Sequence, residues 1–204
     1  MFKKATLLLA AATLSLSLVA CSSKEATENT NNSSNNQVKE ETTKNKTSDK
    51  GKTYTMNNIS VNESGVVQTI KSVSVFDNMK DAVKSYGQSE LVIGDENKDK
   101  TTVVVNFEIK NNNDFMISTY PAQAKIITNT GEQVEADLFA SESFDGDIYG
   151  GVTKEGHVLF SLPKTKADEL KSFKIVWNTS HDNGTSDNYD DDFYKENQLD
   201  ITLN

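Results

Sequence analysis

Apolar and polar residues alternate most clearly between Thr101 and Lys110. Such a period of two predicts a β-strand that buries one face and exposes the other. The buried face would carry Val103, Val105, Phe107 and Ile109. The run Asn111-Asn112-Asn113-Asp114 ends the strand with residues that favour turns.

Shorter segments of similar character predict strands on both sides of this one. Val66–Phe76 breaks its alternation midway, which predicts a β-bulge or burial on both faces. Asn129-Thr130-Gly131-Glu132 is typical of a hairpin turn. The remaining predicted strands are Tyr54–Val61, Gln123–Thr128, Glu132–Phe139, Gly156–Leu162, Ser172–Asn178 and Leu199–Leu203.

Only one segment has clear helical spacing. Met79, Ala82, Val83 and Tyr86 recur at the interval of an amphipathic helix, so we expect a short helix over Asn78–Tyr86. Seven or eight short strands with so little helix favour an antiparallel β-sandwich over a parallel sheet. Two long loops are expected within it, Ala140–Lys154 and an acidic loop that ends at Asn197.

The N-terminus has the pattern of an export signal. Lys3 and Lys4 precede an apolar, Ser- and Thr-containing run, Ala5–Val19, which is shorter than the roughly 20 residues that a membrane-spanning helix needs. Leu18-Val19-Ala20-Cys21, which overlaps the end of this run, resembles the lipobox of bacterial lipoproteins. That resemblance implies cleavage before Cys21, which is the sole cysteine, and attachment of lipid to its thiol. A chance cysteine at the end of an ordinary secretory leader is the alternative.

The segment after this cysteine lacks the residues needed for a core. Ser22–Lys52 consists mainly of Ser, Thr, Asn, Lys and Glu, so we expect a disordered tether. The predicted organisation is therefore a signal peptide (residues 1–20), a lipidated cysteine with a linker (residues 21–52) and a β-sandwich domain (residues 53–204). The alternative for the tether is an arm that folds on a partner.

Charge narrows the range of partners. The chain has a net charge of −9 and contains no arginine. Nucleic acid is not expected as a partner, because an acidic surface repels a polyanion. Direct binding to anionic lipid heads is disfavoured for the same reason, so the expected membrane link is the lipid on Cys21.

Several segments of the folded part resemble a known domain family. They are Val103–Asn111, the turn Thr130-Gly131-Glu132, the stretch Gly151–Gly156 and the strand ending in Leu162-Pro163. Together they resemble the immunoglobulin-like (telokin-like) domain of unknown function found in many Gram-positive lipoproteins. The resemblance implies a fold and an extracytoplasmic location but no catalytic residues. It covers roughly residues 53–177.

Two acidic segments raise the question of a cation. The first, Glu132–Asp147, holds six carboxylates without a lysine, and the second follows His181. Carboxylates and loop carbonyls are the ligands that Ca²⁺ prefers, although neither segment has the spacing of an EF-hand. A calcium site, if present, would use Asp145, Asp147, Asp187, Asp190 and Asp192; simple solvation of the loops is the alternative.

Catalysis has little support in the sequence. Ser180-His181-Asp182 is contiguous, whereas catalytic triads are assembled from separate segments, so we expect a polar loop. His157 lies on the outward face of its strand and is expected to be solvated. No catalytic residue and no cofactor is predicted.

The loop aromatics suggest recognition. Tyr and Phe beside flexible Gly, Ser and Asn form a workable binding surface, although such residues also pack their own loops. They are Phe144, Tyr149, Tyr189, Phe193 and Tyr194.

The functional prediction is a monomeric, lipid-anchored domain that binds an extracellular protein or a cell-wall component. A calcium-stabilised spacer and an enzyme-accessory or inhibitory module are the alternatives.

Overall fold

The structure is a computed structural model, and it describes residues 51–57, 59–182 and 193–204. Eleven strands and one α-helix lie in this part of the chain. In chain order they are β1 (Gly51–Thr55), β2 (Ser60–Glu63), β3 (Val66–Phe76), α1 (Met79–Ser85), β4 (Thr101–Asn111), β5 (Ile117–Thr119), β6 (Lys125–Thr128), β7 (Gln133–Glu135), β8 (Gly146–Ile148), β9 (Thr153–Leu162), β10 (Ser172–His181) and β11 (Phe193–Thr202). Short 3₁₀ turns occupy Glu90–Val92, Asp95–Asn97 and Pro121–Gln123.

The strands form two antiparallel sheets, as predicted for an all-β sandwich with one short helix. In the first sheet the order is β1-β3-β4-β9, and β2 follows β1 along the same edge of β3. In the second, β10 lies between β11 on one side and β5 and β6 on the other, with β8 beside β5 and β7 beside β6. The apolar inner faces of the sheets meet in one core.

Strand β4 has the predicted alternation. Val103, Val105, Phe107 and Ile109 are all buried in the core between the sheets. Phe107 contacts Trp177 of β10 edge-to-face, with ring centroids 5.4 Å apart, so that the central strands of both sheets meet through aromatic packing.

The predicted irregularity in β3 is a bulge. The register with β4 shifts between Ile70 and Ser72, which leaves Lys71 as an exposed extra residue. Before it, β2 and β3 are joined by a tight hairpin in which Ser64 and Gly65 both have positive φ, 49° and 79°. Two such residues are what a type I′ hairpin turn requires, and its twist matches that of the strands.

A buried polar network also joins the two sheets. The Gln68 side chain of β3 is fully buried; its Oε1 accepts hydrogen bonds from Trp177 Nε1 at 2.8 Å and Thr119 Oγ1 at 3.0 Å. Its Nε2 donates to Thr179 Oγ1 at 2.8 Å, and Asn197 Nδ2 of β11 donates to the same oxygen at 2.8 Å. The network therefore links β3 in one sheet to three strands in the other.

Several expected boundaries were wrong. The segment Glu132–Phe139 is not one strand: β7 ends at Glu135, because the Asp137 carboxylate accepts hydrogen bonds from the backbone N–H groups of Phe139 and Ala140 and forms a turn. The alternation Val134, Ala136, Leu138 would direct Leu138 inward in a continuous strand, but it is 61% exposed as a result of the turn.

The two expected long loops also contain strands. Ala140–Lys154 includes β8 and the start of β9, and β11 begins at Phe193 rather than beyond Asn197. The first strand, β1, begins at Gly51, two residues before the expected start of the domain. No helix of the described residues is long and apolar enough to cross a membrane.

Candidate functional site

Helix α1 packs on part of the outer face of the first sheet. Met79, Ala82 and Val83 form a second small core there with Val104 of β4 and Leu159 of β9. Val104 and Leu159 are apolar side chains on the outer face of the sheet, and the helix lies on this face because it covers them. Asn78 caps the helix, since its Oδ1 accepts a hydrogen bond from Asp81 N at 2.9 Å.

Tyr86 lies at the C-terminal end of α1, and its hydroxyl group contacts polar side chains on the outer face of β3 and β4. Asn106 Nδ2 donates to Tyr86 Oη and to Ser72 Oγ, both at 2.9 Å. Tyr86 Oη also lies 3.2 Å from Ser74 Oγ. These bonds fix the orientation of the phenol and the amide on the sheet.

His157 of β9 lies beside Tyr86, with ring centroids 4.6 Å apart and ring planes inclined by 45°. Its Nδ1 is 3.0 Å from Glu142 Oε2, and its Nε2 is 3.1 Å from Gln88 Nε2. The expectation of a solvated histidine was therefore wrong, because the segments around Gln88 and Glu142 cover this part of the sheet and leave the side chain only 12% exposed.

Burial lowers the pKa of His157 below 6.5, the usual value for histidine; the charge of Glu142 opposes this shift but does not cancel it. The imidazole is therefore neutral at neutral pH. A neutral ring offers one N–H donor and one bare nitrogen, which fits a carboxylate on one side and an amide N–H on the other.

A surface cavity of about 390 Å³, which we call the outer-face cleft, opens beside these residues. Its floor includes Lys71 at the bulge, whose Nζ is 3.2 Å from Glu108 Oε2. Glu155 lies directly opposite Glu108 in the register of β4 and β9, an unfavourable pairing of like charges. The cleft is lined by Lys71, Tyr86, Asn106, Phe107, Glu142, Glu155, Gly156 and His157.

The chemistry of the outer-face cleft suits a polar ligand. Its lining side chains supply hydroxyl, amide, imidazole, carboxylate and ammonium groups, and mutual hydrogen bonds hold Tyr86, Asn106 and His157 in place. Polar groups that are already ordered lose little conformational entropy when a ligand binds. Carboxylates outnumber the one lysine, so anionic ligands are disfavoured.

The six carboxylates of the first acidic segment each have a separate protein partner. Glu132 binds the backbone N–H groups of Lys164 and Thr165, at 3.0 and 2.7 Å, and Glu135 pairs with Lys125 at 3.2 Å. Asp137 forms the turn described above, and Glu142 pairs with His157. These groups are therefore spread over different structural contacts.

The two predicted calcium ligands in this segment flank Gly146. Asp145 Oδ2 accepts a hydrogen bond from Ala122 N at 3.2 Å, and burial raises the pKa of its carboxyl group. Asp147 Oδ1 accepts one from Ser118 Oγ at 2.6 Å. Among the described residues no three His, Cys, Asp or Glu side chains could hold a metal ion together. Asp187, Asp190 and Asp192 lie outside those residues, so the calcium site stays a prediction.

Ser180 and His181, which were expected in a loop, are the last two residues of β10, and Asp182 follows the strand. His181 Nδ1 is 2.7 Å from Met116 O, and its ring stacks on Phe115 with centroids 4.2 Å apart. Since successive side chains of a strand point to opposite faces, Ser180 is directed away from His181. The three residues do not form a triad.

The loop aromatics have different roles. Phe144 is buried and lies over Gly156, where a β-carbon would come within 2.2 Å of its ring. Glycine at that position therefore allows the loop to pack on β9. Tyr149 and Tyr194 are exposed, and Phe193 lies near His181 with ring centroids 6.0 Å apart. Tyr189 and the predicted lipidation site Cys21 lie outside the described residues.

Sequence reasoning did not find the outer-face cleft. The available signal was that Val104 and Leu159 are apolar at outward positions, next to Asn106 and His157. An apolar pair on the outer face indicates that something covers it, and the amphipathic helix was the one element available to do so.

Comparisons with known proteins give structural neighbours only. No protein-family model matches the chain, and no curated protein matches it significantly in sequence. A functionally unknown protein from Listeria monocytogenes is 14% identical, with a TM-score of 0.48 over 74% of this chain and 88% of its own. A conserved hypothetical protein from Bacillus anthracis is 17% identical, with a TM-score of 0.43 over 63% and 92%.

A third structure, YcdA from Bacillus subtilis, carries the description "putative lipoprotein". It is 14% identical, with a TM-score of 0.46 over 72% of this chain and 39% of its own. At such low identities and TM-scores, none of the three establishes a family or a function for this chain. The immunoglobulin-like family likewise stays a prediction.

Proposed function

We propose that this protein is a lipid-anchored, extracytoplasmic domain that binds another component of the cell surface and has no catalytic activity of its own. The observation that carries the proposal is the N-terminal sequence. It has the order of a lipoprotein signal: Lys3 and Lys4 come first, then an apolar run, which ends in Leu18-Val19-Ala20-Cys21. Cys21 is the sole cysteine of the chain. Two or more acyl chains on that residue would anchor the chain stably.

The environment of the two histidines supports binding over catalysis. Both ring nitrogens of His157 have protein partners, Glu142 and Gln88. His181 Nδ1 is bound to a backbone carbonyl. A general base needs a ring nitrogen that reaches the proton of a nucleophile, and no nucleophilic side chain contacts His157 Nε2 among the described residues.

The outer-face cleft is the ligand site that we assign to this function. Its polar lining and its excess of carboxylates favour a neutral or basic protein surface, or a hydroxylated wall component, over a polyanion. The domain would act as a monomer, and lipid on Cys21 would be its contact with the membrane.

The anchor is tested with Cys21→Ala in the native host. The wild-type chain is expected in the membrane fraction, and the variant is expected to be released or left unprocessed, because it lacks the thiol that carries the lipid. A variant that is processed normally and remains bound to the membrane would contradict the proposal.

The cleft is tested separately by affinity capture from wall and secreted fractions. Detergent-solubilised wild-type protein is compared with Glu155→Lys, which reverses an exposed charge in the cleft, and with Glu196→Lys, which reverses an exposed charge on β11. We expect a component that is lost with Glu155→Lys and kept with Glu196→Lys. If the two variants capture the same components as the wild type, the cleft is not the site.

A further inference from the structure

His157 connects three segments that are far apart in sequence. It belongs to β9, its Nδ1 lies 3.0 Å from Glu142 in the loop that precedes β8, and its Nε2 lies 3.1 Å from Gln88, just after α1. The aromatic ring of Tyr86, two residues before Gln88, packs against the imidazole. The ring thus ties the end of the helix and a loop to the outer face of the first sheet.

The donors and acceptors of this group require one protonation state. The Gln88 amide nitrogen can only donate, so His157 Nε2 must accept and must carry no proton. The single proton of the neutral ring is then on Nδ1, which donates it to Glu142. A second proton can enter only at Nε2, where it would face the N–H of Gln88.

The Gln88 side chain can accept a hydrogen bond from a protonated ring only after its amide turns over. Its Oε1 is buried and has no hydrogen-bond partner among the described residues. Protonation of the ring must therefore either break the bond to Nε2 or turn the amide over, and a turned amide would place its N–H groups in the buried position where Oε1 now has no partner. The bond to Glu142 is strengthened at the same time, since the donor becomes charged.

Some charged groups near the His157 ring favour its protonation and others oppose it. Glu155 on the same strand and Glu142 from the loop favour a protonated ring, and Lys71 from β3, which is paired with Glu108 of β4, opposes it. On the helix side the ring contacts the phenol of Tyr86 and the amide of Gln88. Burial outweighs the carboxylates, since the pKa of His157 is lowered.

We propose that Glu142, His157 and Gln88 form a proton-sensitive clasp, in which protonation of the imidazole releases the segment Tyr86–Gln88 from β9 while the contact with Glu142 is retained. Tyr86 forms one wall of the outer-face cleft, so release of this segment changes the shape of the cleft in mildly acidic surroundings. The clasp is a property of the folded chain and holds whether or not the proposed ligand function is correct.

Hydrogen exchange of the mature full chain in detergent micelles tests the clasp. Between pH 7.5 and pH 5.0, exchange of the backbone amides of residues 86–91, corrected for the intrinsic rate, is expected to rise about fivefold, the equivalent of one net hydrogen bond. Amides of β10 should keep their protection. Equal corrected rates for residues 86–91 at both pH values would overturn the proposal.

Gln88→Glu is the most informative variant, because it keeps the size of the side chain and replaces the amide nitrogen with an acceptor. The protonated ring would then donate at both nitrogens, so the pH dependence is expected to reverse and protection should be higher at pH 5.0. NMR titration should place the pKa of His157 below 6.5 in the wild type and above it in this variant.

Two further variants complete the test. Gln88→Ala should show little pH dependence in residues 86–91, and His181→Gln should behave as the wild type does. A Gln88→Glu protein with the wild-type response, or a wild-type His157 pKa above 6.5, would show that the ring does not control this segment.

Discussion

At the scale of single residues, a half-buried imidazole such as His157 couples the stability of the domain to pH. The folded state disfavours the imidazolium, whereas the unfolded chain titrates near the usual pKa of about 6.5. Between that value and the lower pKa of the folded state, the unfolded chain binds more protons. Stability therefore falls as the pH is lowered through this window, and this contribution is constant below it.

This prediction is checked by urea denaturation of the wild type and His157→Gln from pH 8 to pH 5. Carboxylates titrate in both proteins, so the difference between their unfolding free energies isolates the histidine. As the pH falls below about 6.5, the unfolding free energy of the wild type should decrease relative to that of His157→Gln. A difference that stays constant with pH would contradict the assignment of a buried, neutral ring.

Glu132 and Glu135, both in the acidic segment Glu132–Asp147, should differ in their contribution to stability. Glu132 is nearly buried and accepts two backbone hydrogen bonds, whereas Glu135 forms an exposed ion pair with Lys125. Glu132→Gln should cost about 1–2 kcal/mol in unfolding free energy, because an amide cannot accept at both positions. Glu135→Gln should cost less than about 0.5 kcal/mol, and equal losses in urea denaturation would be inconsistent with the structure.

At the scale of elements, strand β11 completes the second sheet. It pairs with β10 along its whole length, and Ile201 is buried in the core. Ile201→Ala should therefore lower the unfolding free energy by about 2–4 kcal/mol, through lost burial and the cavity left behind. The neighbouring exposed residue offers the control: Thr202→Ala should have a small effect, and a similarly small effect of Ile201→Ala would show that β11 is not part of the core.

The long strands were predictable because each has enough residues to show a period. Val103–Ile109 and Val158–Leu162 alternate over several positions, and the helix was visible from Met79 to Tyr86. The three-residue strands β5 and β8 were not, because three residues do not define a period. The end of β7 was missed for a different reason: it depends on Asp137 binding the backbone locally, which the apolar pattern Val134, Ala136, Leu138 concealed.

The outer-face cleft was less predictable than the strands. Its residues come from β3, the end of α1, β4, the loop before β8, and β9, and only the packing of the helix brings them together. Sequence alone places His157 on the correct face of its strand but gives no sign that Gln88 and Glu142 will cover it. Burial of a polar residue depends on contacts between distant segments, and these leave no periodic signal.

At the scale of the whole molecule, the chain has a single cysteine and so can form no internal disulfide, and the two sheets depend on their shared interior. The Gln68 network is a buried polar group of side chains within that interior. Gln68→Leu would leave Trp177 Nε1 without its acceptor and would remove one partner from each of the hydroxyl groups of Thr119 and Thr179, which stay bonded to one another. We expect a loss of about 2–4 kcal/mol in unfolding free energy, since buried polar groups are costly when unpaired.

Gln198→Leu makes the same chemical change at an exposed position of β11 and serves as the control. It should alter the urea midpoint only slightly. If the two variants are equally stable, the network does not hold the sheets together, and apolar packing alone accounts for the sandwich.

We propose that this domain works at the membrane surface because lipid is attached to Cys21. Mass spectrometry of the N-terminal peptide of the mature protein, purified from the membranes of its native host, tests it most directly. We expect a chain that begins at Cys21, which carries a diacylglyceryl thioether and is followed by Ser22 and Ser23. A mature chain with an unmodified Cys21, or one cleaved at another residue, would contradict it.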